Sequence, residues 1–333
     1  MRIYTPVYYD DFRCIADKCP DSCCKEWEVQ VDEKTAAFYR GLSGALGERL
    51  RAVLVDDTQW GTVMRIENGR CPMWRKDGLC RIQAELGHDA LCETCQDFPR
   101  LRHDYGTFAQ LQLELSCPEA ARIILSTPAA HWLVEETSGG EEPDYDQEDM
   151  DVLLRTQKTA LSLLNDPGLS APKALAVLLF YGYHAQGILD GELETPFDPS
   201  AALSSAVSLA ENAAPLPLTD FFARLEILTP LWAQRLAAPA AISPWREEYR
   251  NLASYFVERY WLQAVSDYDL VGRVKLAVIS CLLIHSLGDD LIATAQLYSK
   301  EIENSTENVE AILDGAYTEP AFTDQRLLSL LLE

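Results

Sequence analysis

From Val152 onward, Leu, Ile, Val and aromatic residues recur at helical spacing in six runs: Val152–Leu164, Ala174–Ile188, Leu218–Leu236, Glu247–Val265, Val271–Leu287 and Leu291–Ile312. Long runs with a period near 3.6 predict helices whose apolar stripes share one core, and hence an all-helical bundle. The first 120 residues read differently. Apolar and polar positions alternate in Trp27-Glu28-Val29-Gln30-Val31 and in Leu111-Gln112-Leu113-Glu114-Leu115, and Thr62-Val63-Met64-Arg65-Ile66 adds a third such run. A period of two predicts short strands, here of a small antiparallel sheet. Between them, Asp32 is placed to cap a helix that runs through Tyr39 and stops at Gly41, and a second helix, Arg81 to Leu86, ends at Gly87. Ser116-Cys117-Pro118-Glu119 opens a third, with proline suited to the first turn and glutamate favourable to the helix dipole.

No apolar period survives from Glu135 to Asp151, a stretch rich in acidic residues that also holds Gly139-Gly140 and Pro143, so it reads as a linker or mobile loop. The expected fold is mainly α: a helical bundle with a cysteine-rich N-terminal part containing a small antiparallel β-sheet. Residues 1–126 form the cysteine-rich metal- or cluster-binding part, 127–151 the acidic linker or loop, and 152–333 the helical domain. A chain of 333 residues is long enough to bury a full core. The most apolar run, Val274 to Leu287, contains Lys275 and His285 and is shorter than the roughly 20 residues of a membrane span, so it is expected as a buried helix with no membrane partner.

Charge narrows the partners. The formal net charge is −24, with 15 Lys/Arg against 20 Asp/Glu in residues 1–120 and 13 against 32 thereafter. Such a surface repels the phosphate backbone, and no nucleic-acid partner is expected. Acidity of this kind either keeps a protein soluble or attracts cationic groups such as a lysine side chain. The start, Met1-Arg2-Ile3-Tyr4-Thr5-Pro6, has no basic stretch followed by an apolar run, so a cytoplasmic location with reduced thiols is expected.

Sulfur is concentrated in one segment. Nine of the ten cysteines lie within the first 117 residues, four of them as Cys14-x4-Cys19-x3-Cys23-Cys24, followed by Cys71, Cys80, Cys92, Cys95 and Cys117; Cys281 stands alone. A zinc site built from two close Cys-x-x-Cys turns would need a second turn like Cys92–Cys95, and the chain has too many thiols for one tetrahedral ion. An iron–sulfur cluster tolerates irregular spacing, which makes it the first reading, with zinc second and packing thiols without metal third. Lys18, Lys25, Arg75, Lys76, Arg81, Arg100 and Arg102 lie close to cysteines in sequence and could offset an anionic cluster. Cys117 precedes a helix, where a lowered thiol pKa would make it a reactive or ligating thiolate; the alternative is a small buried residue beside the cap. No Gly-x-Gly-x-x-Gly follows a strand, and neither a phosphate loop nor a His-Glu-x-x-His helix is present.

Phe12-Arg13-Cys14-Ile15, Cys19-Pro20-Asp21-Ser22-Cys23-Cys24-Lys25-Glu26-Trp27, Cys71-Pro72, Gly78-Leu79-Cys80-Arg81-Ile82-Gln83, Leu86-Gly87, Thr94-Cys95-Gln96-Asp97-Phe98-Pro99-Arg100 and Leu115-Ser116-Cys117-Pro118-Glu119-Ala120-Ala121-Arg122 occur in that order. As a set they resemble the flagellin lysine N-methylase (FliB-type) family. Ser254-Tyr255-Phe256 and Tyr298-Ser299-Lys300-Glu301-Ile302-Glu303-Asn304 resemble it more loosely. The resemblance implies a [4Fe-4S] cluster and methyl transfer from S-adenosylmethionine to lysines of flagellin, or of another protein presenting lysine. Cys19 to Cys24 with Cys71, Cys80 and Cys95 is also similar to small proteins described as zinc- or iron-chelating domains, which keeps a non-catalytic iron- or zinc-binding or redox module as the alternative. The cysteines common to both resemblances, Cys19, Cys23, Cys24, Cys71, Cys80 and Cys95, are the implied source of four ligands, with Cys14, Cys92 and Cys117 in reserve. Methylation needs a neutral amine, and free lysine has a pKa of about 10.4, so a desolvated pocket and a base are required. The candidates are Tyr181, Tyr183 and His184, and Glu301 or Glu303; aromatic stripes of this kind are more often core than catalytic.

Overall fold

In the computed structural model, which describes residues 1–128, 132–193, 196–210, 217–239, 244–288 and 290–332, the alternating runs enter two different sheets. The strands are β1 (Arg2–Pro6), β2 (Val29–Gln30), β3 (Leu54–Asp57), β4 (Gly61–Met64), β5 (Arg100–Asp104), β6 (Phe108–Leu113) and β7 (Trp132–Glu136). Strands β2, β4 and β3 make the small antiparallel sheet, with Val29 opposite Met64. The Leu111 run belongs instead to a four-stranded sheet ordered β5-β6-β1-β7, in which β1 and β6 run parallel with Arg2 opposite Phe108. One antiparallel sheet was expected. The second was hidden because its parallel pair joins residues far apart in sequence, with no turn to announce the pairing.

The stretch 127–151, expected as an acidic linker or loop, holds two elements among its described residues. Strand β7 pairs with β1 along its whole length, although Leu133 to Glu136 are all exposed. Backbone hydrogen bonds rather than side-chain burial make this strand, and an edge position lets its carboxylates stay solvated. Asp146 then accepts from the Glu148 N–H at 2.7 Å and starts helix formation six residues before the apolar period begins at Val152.

The N-terminal helices are α1 (Glu33–Gly41), α2 (Gly44–Val53), α3 (Arg81–Leu86), α4 (Glu93–Asp97) and α5 (Pro118–Ser126). Asp32 caps α1 by accepting from Thr35 N–H at 2.8 Å, and its other oxygen accepts from Glu93 N–H at 3.1 Å, so one carboxylate fixes the starts of both α1 and α4. Gly87 ends α3 at φ 89°, the left-handed region that glycine adopts freely.

The bundle comprises α6 (Gln147–Leu164), α7 (Ala171–Leu189), α8 (Pro199–Ala210), α9 (Thr219–Phe222), α10 (Pro230–Ala237), α11 (Tyr249–Tyr260), α12 (Leu270–Leu287), α13 (Leu291–Tyr298), α14 (Thr306–Thr318) and α15 (Asp324–Leu332). Two of the six expected runs are broken. Leu218–Leu236 divides into α9 and α10 because Pro230 lacks an N–H and begins a new helix, capped by Thr229. Leu291–Ile312 divides at a π-helical turn, Ser299–Glu303, after which Ser305 caps α14. Helix α12 is long and apolar enough to cross a membrane by length and composition, yet 94% of it is buried inside the protein. It lies against α7 at Gly182, where an added Cβ would stand 2.8 Å from Val274.

Two cores result. Phe108, Leu113, Tyr8 and Phe12 of the four-stranded sheet and its connections join α5 and the bundle in one large core. Val29, Val31, Tyr39, Leu50, Met64, Met73, Ile82 and Leu91 pack a second, smaller core that contains the cysteines.

Candidate metal centre

Short connections held by backbone hydrogen bonds bring the thiols of the smaller core together. Cys71 N–H donates to Cys24 carbonyl at 2.8 Å and Glu26 N–H to Gly69 carbonyl at 3.0 Å, stitching the loop before β2 to the loop after β4. Trp27 closes over this loop, its Nε1 donating to Cys23 carbonyl at 2.5 Å and its ring meeting Phe98 edge-on at 5.5 Å. Cys80 and Cys92 are the residues just before α3 and α4, and Cys95 lies one turn into α4. Six thiols, from Cys23, Cys24, Cys71, Cys80, Cys92 and Cys95, line one cavity of about 40 Å³ together with Tyr39, Met64, Met73, Ile82 and Phe98.

These thiols perturb one another. Cys23 is brought down to about 7, chiefly by a hydrogen bond with Cys24 and against the effect of burial, and Cys71 is lowered by the same neighbour. Cys24, between those two sulfurs, is raised. Cys92 is lowered by a hydrogen bond with Cys95, which is raised in turn, and burial raises Cys80. Protons are thus shared among sulfurs that a cation could hold instead. Among the described residues no group of three or more His, Cys, Asp or Glu side chains is placed to hold a metal ion. The donor set is all sulfur and surplus to four, ranging from the buried Cys71 and Cys92 to the exposed Cys23, against an apolar wall, and a set of thiols of this kind suits an iron–sulfur cluster.

Of the six cysteines first implied as ligands, Cys23, Cys24, Cys71, Cys80 and Cys95 line the cavity and Cys19 does not; Cys92, held in reserve, does. Cys19 instead feels Cys14 and Cys23, and its thiol is raised mainly by burial. Cys14 is exposed and Cys281 is buried in α12. Of the two readings of Cys117, the structure favours the second: although it precedes α5, burial pushes its thiol up to about 12, outweighing the backbone hydrogen bonds at the helix start. It is the buried cap-adjacent residue, and sequence could not register the packing that covers it.

Beside the cysteine core a groove of about 510 Å³ is lined by Pro20, Asp21, Lys25, Glu26, Pro118, Thr229, Leu231, Arg235, Asp290, Gln296 and Lys300. Lys300, on the π turn, reaches Asp21 Oδ2 at 3.0 Å and Glu26 Oε2 at 2.7 Å, and Lys25 reaches Asp21 Oδ1 at 2.9 Å. Gln296 donates to both Asp21 and the Ser116 carbonyl. Burial works to raise the Asp21 pKa, but the hydrogen bond from Lys25 and the charge of Lys300 prevail and bring it to about 2.

The five catalytic candidates are not brought together in one site. Tyr181 is buried, stacked on Trp261 at 6.1 Å, and His184 packs against Tyr181 and Phe197. Tyr183 is exposed and donates to Asp324 at 2.7 Å. Glu303 accepts from Tyr255 and Tyr260 and pairs with Arg259 Nε at 3.2 Å. Glu301 accepts from Leu228 N–H at 2.8 Å and is fully buried. Sequence reading passed over Glu258, which lies on the inner face of α11 with Oε2 unpartnered; burial pushes it up to about 8, against the hydrogen bond from Tyr8. A glutamate within an otherwise apolar helical stripe was the available signal.

The chain is 30% identical over 206 residues to the lysine-N-methylases of Salmonella choleraesuis and Salmonella typhimurium, covering 56% of this chain and 48% of each relative. It is 34% identical over 147 residues to the flagellar biosynthetic protein FliU of Salmonella muenchen, covering 41% of this chain and 85% of that protein. The chain therefore belongs to the flagellin lysine N-methylase (FliB-type) family. It spans about half the length of the curated lysine-N-methylases it matches. No family model and no solved structure matches it.

Proposed function

We propose that this protein is an S-adenosylmethionine-dependent protein-lysine N-methyltransferase acting on flagellin, with a [4Fe-4S] cluster held by four of Cys23, Cys24, Cys71, Cys80, Cys92 and Cys95. The observation that carries the reading is the identity to lysine-N-methylases and FliU in a chain whose blocks of family resemblance converge in space. Asp21 and Glu26, from the cysteine block, hold Lys300, from the C-terminal block, and Tyr255 of a third block donates to Glu303. The bound cluster would supply a fixed, redox-capable metal centre, and the charge of Lys300, which acts on Cys23, would offset part of its thiolate charge.

This chain's own residues carry the substrate side. The groove sets the carboxylates Asp21, Glu26 and Asp290 against the cations Lys25, Arg235 and Lys300, so it is balanced in charge, and Pro20, Pro118, Leu231 and Leu297 give it an apolar wall along which the stem of a lysine side chain can lie. Desolvation favours the neutral amine over the ammonium, which lowers the cost of removing the lysine proton before methylation. Glu301 and Glu303, both committed to internal partners, hold the π turn and so the position of Lys300.

The test is anaerobic incubation of the cluster-loaded protein with methyl-labelled S-adenosylmethionine and flagellin, followed by mass mapping of lysines. Methylated lysines that disappear in Cys95→Ala support the reading. A loaded protein that transfers no methyl group to flagellin contradicts it.

A further inference from the structure

Strand β7 is the outermost strand of the four-stranded sheet, and among the described residues no strand pairs with its outer edge. Met1 and Thr137 exchange both backbone hydrogen bonds, at 2.9 Å each. Antiparallel pairs alternate between bonded and non-bonded, so Glu135 and Leu133 are the bonded positions, opposite Ile3 and Thr5. Trp132, Val134 and Glu136 therefore turn their backbone N–H and C=O groups outward, away from β1. Opposed residues share a face of the sheet, which puts the side chains of Trp132 and Val134 on the face of Tyr4 and Gln110. Between that face and α6 lies a groove of about 920 Å³, lined by Tyr4, Trp132, Leu154, Lys158, Leu161 and Asp166.

This edge is apolar and acidic at once. Leu133 and Val134 are 52% and 51% exposed, and from 135 to 151 the chain holds nine Asp and Glu with no Lys or Arg. Outward backbone groups make an edge a template for another strand, and charged side chains along it turn away strands that do not match their sign. A strand added here bonds to the main chain of Trp132, Val134 and Glu136 and sets alternate side chains over the groove. Charge complementarity selects the occupant. A segment bearing Lys or Arg is drawn to the carboxylates, whereas a second copy meeting the edge through its own β7 is repelled.

We propose that β7 docks the acceptor protein by strand addition, taking an extended segment that carries lysine or arginine. No group is transferred at this edge; holding the acceptor there raises the effective concentration of its lysines at the separate groove beside Lys300. The inference rests on the methyltransferase reading above, which supplies a lysine-bearing partner. The test is binding of fluorophore-labelled monomeric flagellin, read by anisotropy without methyl donor, to cluster-loaded wild type, to Val134→Pro and to the double variant Glu135→Lys/Glu136→Lys. Melting temperature, sedimentation and methyl transfer are measured alongside. Proline at 134 removes an outward N–H that no bond to β1 uses, so the sheet is expected to survive. Val134→Pro is expected to weaken binding about tenfold, and the charge reversal severalfold with loss of most of the salt dependence. If Val134→Pro melts early, the charge reversal decides. Wild-type affinity in the folded variants, or a wild-type protein that does not bind flagellin, overturns the docking edge. A dimer that Val134→Pro abolishes, with flagellin binding unchanged, gives the edge to a second copy and overturns it too. Methyl transfer to flagellin is scored separately, so the function proposed above stands or falls by itself.

Discussion

Lys300 and Asp21 are 279 positions apart in sequence and 3.0 Å apart in space, Nζ to Oδ2. The pair joins the π turn between α13 and α14 to the loop that carries Cys19, Cys23 and Cys24, so the helical part and the cysteine part hold each other in register. Both side chains are mostly buried, at 13% and 22% exposed.

Lys300→Met leaves Asp21 and Glu26 without their shared cation. The expected loss is about 2–4 kcal/mol of unfolding free energy, read by denaturant titration. Because Lys25 and Lys300 together hold Asp21 at about 2, below the usual carboxylate range, the share that Lys300 contributes is complete above pH about 4 and is lost as pH falls towards 2. Wild-type and Lys300→Met stabilities should therefore converge only in that acid window; a constant gap down to pH 2 would contradict the pairing.

Glu303 neutralises Arg259, whose side chain is 11% exposed. Glu303→Gln keeps the shape and removes the charge, so the expected cost is about 3–5 kcal/mol, the penalty for an uncompensated buried cation. Thermal melting reads this directly, and a wild-type melting temperature would show that Arg259 finds other compensation.

Glu258 gives the opposite pH signature. Its pKa is raised to about 8 in the folded protein, so the native state holds a proton that the unfolded chain releases near pH 4.3, and stability falls as pH rises from about 4 to 8. Glu258→Gln keeps the protonated form's geometry and removes the titration. The variant should match wild type near pH 4.5 and exceed it by a few kcal/mol at pH 8; parallel curves would contradict this.

The parts legible in the sequence are those fixed by neighbours in the chain. Asp32 caps α1 and Gly87 ends α3 as expected, because a cap and a left-handed glycine act within four residues. The cysteine spacing announced a sulfur site but not its membership: Cys92 joins and Cys19 stays out because the backbone bonds from Cys71 to Cys24 and from Cys95 to Cys92 decide which thiols face inward. The parallel β1–β6 pair, the strand at Trp132–Glu136 and the burial of Cys117 all depend on segments distant in sequence. The amphipathic stripe over Leu218–Leu236 concealed a break that Pro230 alone signals.

Membership of the metal centre can be separated by substitution. On the proposed cluster reading, Cys80→Ala and Cys95→Ala should lose most bound iron and lower the melting temperature by about 5 °C or more, because the cluster would link loops that otherwise close at an entropic cost. Cys14→Ser and Cys117→Ala should retain their iron. Equal iron in all four variants would contradict the assignment of the cavity.

The most direct measurement is iron and acid-labile sulfide in protein purified without oxygen, with its absorption spectrum. The account predicts a brown protein absorbing broadly near 400 nm, with about four irons and four sulfides per chain. A colourless protein carrying one zinc and no sulfide would contradict it.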